Sequence, residues 1–344
     1  MADILKLITP KDRIEFAQNF GIVRNYAGDA LFPDIKTKNM QAEFYRLSNG
    51  ANLPVMAYVH GLDTEAHIAS RDAFERVEFE KLLIKQKINQ SERLQQLRNM
   101  GVLDEDVIKY VFDDMARMAE GVKTRTEVAK MQALSMGRIV IKENNLNLVV
   151  DYGVANGNKV TKTWNAANAD ILGDIQDMIE IAQAKGQKPN TIVTTSKVLN
   201  AIRKNQGVQT AIYGANGVGT FVSNQQINAL MGAMFDIQFV RVNDEQYRYE
   251  KANGTKVSEY YLARNKFILC VADASGAIGS GLWGVTPEEL AEQPWSEKSE
   301  QQFVTITQWQ TPDPVAVWTK ASGMFIPVLP NVDGLVIADI TLPA

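Results

Sequence analysis

The longest periodic run of hydrophobic positions predicts a single long helix near the middle of the chain. Apolar side chains recur at helical spacing over residues 104–137, where Asp104, Glu105 and Asp106 favour a helix start through the helix dipole. Gly137 suits the position just after a helix, since glycine readily adopts left-handed backbone. At about 1.5 Å per residue, this helix would extend over roughly 50 Å, which is long for a globular domain.

Alternating polar and apolar positions predict strands on both sides of this helix. The alternation over Phe44–Ser48 ends at the turn signal Asn49-Gly50, and Val55–Val59 is a second strand-like run. Residues 75–98 contain ten charged residues of both signs, a pattern that suits a hairpin projecting over a neighbouring surface. For any single charge in this run, an ordinary solvated face is the alternative interpretation. After the helix, residues 139–150 predict a hairpin.

Residues 151–285 predict a compact α/β unit, because helices and short buried strands alternate there. Periodicity and caps predict helices at 171–184, 197–204 and 224–231, and strands at 191–195, 237–242 and 266–271. Ser196 is predicted to cap the second of these helices, and Gly214–Gly219 to form a loop. The chain then returns to a sheet at Phe303–Thr307.

The first 38 residues predict an extended arm with one short helix. Thr9 is a candidate N-cap, Pro10 suits the first helical position, and the narrow apolar stripe ends at Gly21. A helix this short is unstable alone in water, so it is expected to dock on its own chain or on a neighbouring subunit. An ordinary helix packed on its own domain is the alternative.

Composition and charge limit the function classes without selecting one. The net charge is −4, so no broad basic surface is expected to neutralise nucleic-acid phosphates. The single cysteine, Cys270, excludes an internal disulfide and lies in a buried-strand pattern, where a small hydrophobic role is expected. No apolar run is long enough for a signal peptide or a membrane span, so the chain is expected to be made and used in a reducing cytoplasm.

The residue types that catalysis and metal binding need do not come together in this sequence. The only histidines, His60 and His67, lie in strand-like sequence without a cysteine or an acidic cluster, which argues against a metal site and a catalytic triad. Gly214–Gly219 reverses the glycine order of the dinucleotide fingerprint. Asp113 and Asp114 point about 100° apart on a helix, so they do not form a general acid–base pair. No catalytic residue, metal or cofactor is therefore expected.

The carboxyl-terminal residues carry a recognisable order of short patterns. Trp309-Gln-Thr-Pro-Asp-Pro314 forms a turn, Ser322-Gly323 a small-residue break, Met324–Pro330 an apolar proline-rich strand, and Leu335–Leu342 a closing strand. This order resembles the carboxyl end of the major capsid proteins of tailed phages, in the branch typified by the lambda shell protein. Two further stretches are similar to the same family: Arg125–Leu134 and Tyr247–Leu269.

The resemblance implies an α+β chain with the Hong Kong 97-type capsid fold. That fold consists of an N-terminal arm, an extended loop, a long spine helix, a peripheral domain and an axial domain. On this chain the implied divisions are 1–38 for the arm, 39–90 for the extended loop, 104–137 for the spine helix, 91–162 with 286–344 for the peripheral domain, and 163–285 for the axial domain.

The function that the resemblance implies is that of a major capsid protein, whose pentamers and hexamers close into an icosahedral shell. The shell would enclose the double-stranded DNA of a tailed phage or prophage without sequence-specific binding. The protein is therefore expected in the virion capsid, after assembly in the host bacterial cytoplasm. Expected partners are other copies of the chain, a separate scaffolding protein, a portal and, as a further candidate, a decoration protein, with no membrane and no cofactor. No lysine and asparagine pair carries over as a covalent cross-link.

Contacts between subunits are expected from the arm and the projecting hairpin. The residues predicted to lie in these contacts are Phe44, Tyr45, Tyr58, Arg71, Arg76, Lys81 and Lys85. Gly121 is predicted to act as a hinge of the spine helix when the precursor shell expands, because glycine weakens a helix by about 1 kcal/mol relative to alanine. Two alternatives stay open: an encapsulin-like nanocompartment shell, and a cytosolic α/β enzyme or ligand-binding domain built on residues 163–285.

Overall fold

The structure, a computed structural model, describes most of the chain in two compact units. The described residues are 24–39, 41–47, 74–90, 104–143, 146–251, 253–290, 296–301, 303–312 and 315–343. The first unit is formed by the described residues within 1–42, 79–130 and 280–328. The second unit is formed by those within 43–78, 131–279 and 329–344. The predicted arm helix, the run Val55–Val59 and both histidines lie outside the described residues.

Helices and strands are numbered in chain order. The helices are α1 (Ala27–Leu31), α2 (Asp104–Met136), α3 (Ile171–Gln183), α4 (Ser196–Lys204), α5 (Gln206–Tyr213), α6 (Asn224–Phe235) and α7 (Pro287–Leu290). The strands are β1 (Asp34–Lys36), β2 (Gln41–Leu47), β3 (Phe74–Glu80), β4 (Leu82–Gln90), β5 (Arg138–Glu143), β6 (Leu146–Asp151), β7 (Lys159–Thr163), β8 (Thr191–Thr194), β9 (Phe239–Val242), β10 (Gln246–Glu250), β11 (Lys256–Tyr260), β12 (Lys266–Cys270), β13 (Ser280–Gly284), β14 (Ser296–Gln301), β15 (Val304–Pro312), β16 (Val315–Val328) and β17 (Val336–Thr341).

β16 is the central strand of a six-stranded sheet in the first unit. It pairs antiparallel with β15, β13 and β4, while β14 extends the sheet beyond β15 and the short β1 runs parallel to β13. β16 passes without interruption through Ser322 and Gly323, so the small-residue break predicted there is wrong. A Cβ at Gly323 would lie 2.8 Å from Val122 Cγ1 and 2.9 Å from Trp283 Cζ3. This glycine therefore allows a helix and a ring to pack closely against the strand.

α2 confirms the long helix predicted from hydrophobic periodicity. It spans Asp104–Met136, and Gly137 follows with a left-handed φ of 67°. The N–H of Gly137 donates to the carbonyl of Ala133 at 3.0 Å. Met118 and Val122 are buried on the part of α2 that belongs to the first unit. The hairpin predicted after the helix is also confirmed, because β5 pairs antiparallel with β6.

The second unit is built on a mixed five-stranded sheet in the order β7-β17-β12-β8-β9. β12 is antiparallel to both of its neighbours, whereas β7 is parallel to β17 and β9 is parallel to β8. Residues of α3 to α6 and of the sheet share one apolar core, in which Ile175, Phe267 and Val336 are buried. The alternation of helices and strands predicted for this part of the chain is confirmed.

The cap of α4 differs from the prediction. Thr195, not Ser196, is the N-cap, and its Oγ1 accepts from the N–H of Val198 at 3.5 Å. Ser196 lies in the first turn, where both its N–H and its hydroxyl donate to the carboxylate of Asp244. That carboxylate is 48 residues away in sequence, so local patterns could not reveal it.

Two strands cross the divisions that the resemblance implies. β4, assigned to the end of the extended loop, pairs with β16. β17, assigned with residues 286–344 to the peripheral domain, pairs with β12 and β7. The strand pair β2–β3 forms a two-stranded sheet of its own, as β10–β11 does. The implied domain boundaries stay a prediction.

Candidate functional site

Four charged side chains of the first unit form a cluster between α2 and the segment around β1. Lys123 and Lys130 lie on α2, Asp29 on α1 and Asp34 on β1. The Nζ of Lys123 is 2.5 Å from Asp34 Oδ2. The Nζ of Lys130 is 3.0 Å from Asp34 Oδ1 and 2.7 Å from Asp29 Oδ1. The Lys130 side chain is only 1% exposed, so these carboxylates replace the water that would otherwise solvate it.

The carboxyl group of Asp34 is held in its ionised form by this cluster. Burial on its own would raise the pKa of Asp34, but the charges of Lys130 and Lys123 and their hydrogen bonds outweigh burial and lower it. A lowered pKa keeps both ion pairs intact near neutral pH. Asp34 therefore acts as a structural anion, not as a general acid or base.

Helical spacing places a third charged residue of α2 beside the same segment. Glu127 lies between the two lysines on one face of the helix. Its Oε1 accepts from the N–H of Gly28 at 2.9 Å, and its carboxylate occupies the space that a Cβ at residue 28 would need. Thr124 Oγ1 also lies 3.0 Å from the hydroxyl of Tyr26. The whole segment from residue 26 to β1 is thus fixed to α2.

Aromatic rings of the sheet lie beside the two ammonium groups. The Nζ of Lys123 is 4.8 Å from the ring centre of Trp283, and that of Lys130 is 5.6 Å from the ring centre of Phe325. These two rings, on β13 and β16, are 5.0 Å apart. A desolvated cation is attracted to the face of an aromatic ring, so the rings strengthen the cluster.

A second charged cluster connects three strands of the same sheet. Glu288 of α7 lies 2.7 Å from the Nζ of Lys85 on β4 and 3.0 Å from that of Lys320 on β16. The neighbouring Glu289 lies 2.9 Å from the Nζ of Lys36 on β1. Burial would raise the pKa of Glu288, but hydrogen bonds from Lys85 and Lys320 outweigh it and lower the pKa to about 2.

The residues predicted to contact other subunits have different places in the structure. Tyr58 and Arg71 lie outside the described residues, and Phe44, Tyr45 and Arg76 lie on β2 and β3. The predicted roles of these five residues between subunits stay predictions. Lys81 is 6% exposed and donates to oxygens of its own chain, and Lys85 pairs with Glu288 as described above. Their predicted roles stay predictions as well.

Gly121, the predicted hinge, lies within the uninterrupted helix α2. A Cβ at this position would collide with Oε1 of Gln86 on β4. That oxygen is the end of an exposed, flexible side chain that can turn away, so the contact does not require glycine at this position. The hinge role stays a prediction.

In the second unit, an uncharged loop presents apolar side chains to solvent. Phe221 is 77% exposed and Val218 is 51% exposed. The buried Gln209 holds the loop, because its Nε2 donates to the carbonyl of Thr220 at 3.2 Å and its Oε1 accepts from the N–H of Gly219 at 2.8 Å. A loop ordered by its own hydrogen bonds that still exposes a phenyl ring has the character of a contact surface.

Sequence reasoning identified Gly214–Gly219 as a loop but missed this surface. The available signal was charge: residues 213–223 contain no Asp, Glu, Lys or Arg, although these types make up 22% of the chain. Phe221 lies two residues after the last of these glycines, within the same uncharged stretch.

The described residues contain no group of three His, Cys, Asp or Glu side chains that could hold a metal ion. Nor does any helix in the described ranges combine the length and the apolar character needed to cross a membrane. Cys270 lies buried in β12, as predicted, and burial raises the pKa of its thiol to about 12. A thiol with so high a pKa is a poor nucleophile near neutral pH.

The family model described as phage major capsid protein E matches residues 23–340. Among solved structures, one assigned as the capsid protein of a prophage of E. coli CFT073 is similar, with 14% identity and a TM-score of 0.59, over 98% of this chain and 99% of that chain. A phage-related protein of Bordetella bronchiseptica RB50 has 12% identity and a TM-score of 0.52, over 94% of both chains.

The mature capsid of bacteriophage PhiM1 is also similar, with 9% identity and a TM-score of 0.52, over 93% of this chain and 89% of that chain. No curated protein sequence matches this chain significantly. At these identities the likeness concerns the fold, and it confirms the Hong Kong 97-type fold implied by the resemblance.

Proposed function

Since the chain belongs to the phage major capsid protein E family, we propose that it assembles as pentamers and hexamers into an icosahedral shell around double-stranded DNA. Family membership makes the protein a structural subunit of a phage head, located in the virion capsid, and not an enzyme. It favours the phage shell over the nanocompartment and over the α/β enzyme or ligand-binding domain that the sequence left open.

The observation that carries the capsomer proposal is the uncharged loop of the second unit, residues 213–223. When identical subunits surround a rotation axis, residues near the axis meet their own copies, and like charges there would repel. A loop without charge tolerates this arrangement, and the exposed Phe221 and Val218 offer apolar area to bury. We assign the contacts around each capsomer axis to this loop.

The remaining partners follow from the same proposal. The arm and the strand pair β2–β3 reach neighbouring subunits, which gives interfaces larger than contacts between compact units alone. A net charge of −4 suits a container that holds DNA without binding its phosphates tightly. A separate scaffolding protein, a portal and a decoration protein complete the proposed set of partners.

The substitution Phe221→Asp tests the loop. Because this side chain is 77% exposed, the subunit is expected to fold normally, with an unchanged circular dichroism spectrum. Carboxylates meeting around an axis are expected to lower the yield of capsomers and closed particles at least tenfold, as counted by electron microscopy and analytical ultracentrifugation. Phe221→Leu, which keeps an apolar side chain, serves as the matched control and is expected to assemble.

The results distinguish a failure of the loop assignment from a failure of the shell proposal. Normal particle yield from Phe221→Asp would remove the loop from the capsomer contacts and leave the shell proposal standing. If the unaltered chain forms neither rings nor closed particles with its scaffolding protein, the capsomer proposal itself is wrong.

We also propose that α2 bends at Gly121 when the shell expands. Gly121→Ala also displaces the end of the Gln86 side chain, so this contact needs its own control. Combining it with Gln86→Ala removes the collision, and Gln86→Ala alone is the control. Slower expansion of the double variant relative to this control supports a hinge, whereas equal rates contradict it.

A further inference from the structure

Lys81 is the single residue between two strands that belong to different sheets. β3 ends at Glu80 and pairs with β2, whereas β4 begins at Leu82 and pairs with β16. The chain therefore leaves the six-stranded sheet after β1 and returns to it at β4, with β2 and β3 between. Lys81 lies at the return point.

The stretch between β1 and β4, which contains β2 and β3, is called the β2–β3 excursion here. The side chain of Lys81, at the end of this excursion, also reaches residues at its start. Its Nζ donates to Thr37 Oγ1 at 2.5 Å and also to the backbone carbonyl of Asn39. These partners are 44 and 42 residues away in sequence. Thr37 is itself fixed, because its N–H donates to the carbonyl of Trp283 at 2.8 Å. One ammonium group thus joins both ends of the excursion.

The surroundings of Lys81 are shaped for its long side chain. Lys81 is 6% exposed, and a Cβ at Gly284 would lie 3.0 Å from Lys81 Cδ and 2.9 Å from the sulfur of Met324. The glycine on β13 therefore leaves the space through which the lysine stem passes. Only a long, unbranched side chain with a terminal donor fits both the space and the two acceptors.

Burying this ammonium group has a cost that an apolar residue would avoid. In the part of the chain that the structure describes, its hydrogen-bond partners are neutral oxygens, and no carboxylate forms an ion pair with it. Burial accordingly lowers the pKa of Lys81. A methionine of similar length would fill the same space without desolvating a charge. What methionine lacks is the ability to bind Thr37 and Asn39.

We propose that Lys81 is a clasp that holds the two ends of the β2–β3 excursion together on the first unit. The clasp fixes the chain at the two points where β2 begins and β3 ends. It gives Lys81 a positioning role inside its own subunit, which is separate from the predicted contact between subunits. Its consequence for assembly rests on the proposed shell function, because β2 and β3 are the strands proposed to reach a neighbour.

The experiment compares Lys81→Met with Lys87→Met on the unassembled, full-length chain. Lys87 lies on the same strand, is exposed and has its Nζ 4.8 Å from the ring centre of Trp318, so its loss controls for removing a lysine from β4. Hydrogen exchange is measured in peptides that contain Thr37 and Leu82, with β8 and β12 as internal references. Lys81→Met is expected to speed exchange about tenfold in both peptides and to leave the references unchanged. Lys87→Met is expected to change neither.

Exchange at wild-type rates in both peptides of Lys81→Met overturns the clasp. If that variant does not fold, Thr37→Val removes one acceptor and keeps the lysine, and it is expected to speed exchange in the Leu82 peptide about threefold. Wild-type exchange in Thr37→Val then overturns the proposal in the same way.

Particle assembly is scored separately on the same variants. Loosened ends with few closed particles support both the clasp and its role in assembly. If Lys81→Met loosens both ends but even the unaltered chain never assembles, the result supports the clasp proposal and contradicts the shell proposal.

Discussion

Six charged side chains are buried among the described residues, and five of them lie in the first unit: Lys81, Asp114, Lys123, Glu127 and Lys130. The second unit contains the sixth, Asp333, and is built around a cluster of aliphatic and aromatic side chains. Directional polar contacts therefore hold much of the first unit, whereas apolar burial dominates the second.

Both units join segments that are far apart in sequence, but in the first unit buried charged side chains form many of these contacts. In the first unit, Lys130 binds Asp29 and Asp34 across 101 and 96 residues, and Lys81 binds across 44 and 42. Apolar contacts tolerate alternative packings, while an ion pair or a hydrogen bond requires one geometry. We interpret the buried charges as the means by which a shell subunit places its N-terminal segment and its β2–β3 excursion in one defined arrangement.

The largest expected effect comes from a direct comparison of one lysine in each unit. Lys130→Met leaves Asp29, which is 43% exposed, without an ammonium partner in its cluster and Asp34 with Lys123 alone, so it is expected to cost about 3 kcal/mol, the lower end for a broken buried ion pair. Urea unfolding, monitored by hydrogen exchange in β16, measures the decrease in the free energy of unfolding. The matched change in the second unit is Lys162→Met. Lys162 is itself 20% exposed, and its partners Asp174 and Asp177 are 23% and 64% exposed, so the loss is expected to cost about 1 kcal/mol. Equal costs for the two variants would contradict the comparison.

An effect of intermediate size is expected from a test of packing at two glycines. Gly323→Ala places a Cβ within 3 Å of Val122 and Trp283, so it is expected to destabilise β16 by about 1–3 kcal/mol. Gly157→Ala in the second unit meets no atom within 4 Å and is expected to be nearly neutral. Thermal melting of both variants checks this. A neutral Gly323→Ala would mean that the helix and the ring can move away from the strand at little cost.

The smallest expected effect is a difference in acid sensitivity. The pKa of Glu288 is lowered from 4.5 to about 2, so the folded chain binds this proton less readily than the unfolded chain. The stability it contributes is present above about pH 4.5 and is lost as the pH falls towards 2. Asp34 acts in the same direction, since its pKa is lowered from 3.8. Protection from exchange in β16, measured relative to the intrinsic exchange rate at each pH, is therefore expected to fall on acidification before protection in β12 does.

Glu288→Gln provides the control for this pH dependence. The variant is expected to be less stable than the unaltered chain at pH 7 and to approach it near pH 2, where Glu288 becomes protonated. A stability difference that is the same at pH 7 and pH 2.5 would show that the carboxylate charge is not responsible.

The two units also differ in how far the sequence could predict them. The signals for α2, α3, α4 and α6 and for β8, β9 and β12 are periodicity and turn residues within a few positions, so these elements were predicted, whereas α5 and β7 were not. Asp29 and Asp34 gave no comparable signal, because nothing local pairs them with Lys130 a hundred residues later. Gly323 suggested a break in the strand, although its role is to admit Val122 and Trp283 from distant parts of the chain. Which residues become partners depends on the fold, and the local patterns of a single sequence do not reveal these partners.

The proposed contact surface of the second unit was missed for a different reason. Its signal is the lack of charged residues around Phe221, and a lack of residues is harder to notice than a motif. The hydrogen bonds of Gln209 that hold the loop in place become visible only in the structure.

The position of β17 has a consequence for the order of events during synthesis. β17 lies between β7 and β12, and among the described strands β7 pairs with β17 alone. A nascent chain that has already produced Lys159–Thr163 must wait for Val336–Thr341 before this edge of the sheet can form. At about 5–20 residues per second, the wait is on the order of 10 s. A chain that is still being translated therefore lacks a finished second unit until Val336–Thr341 has been made and released.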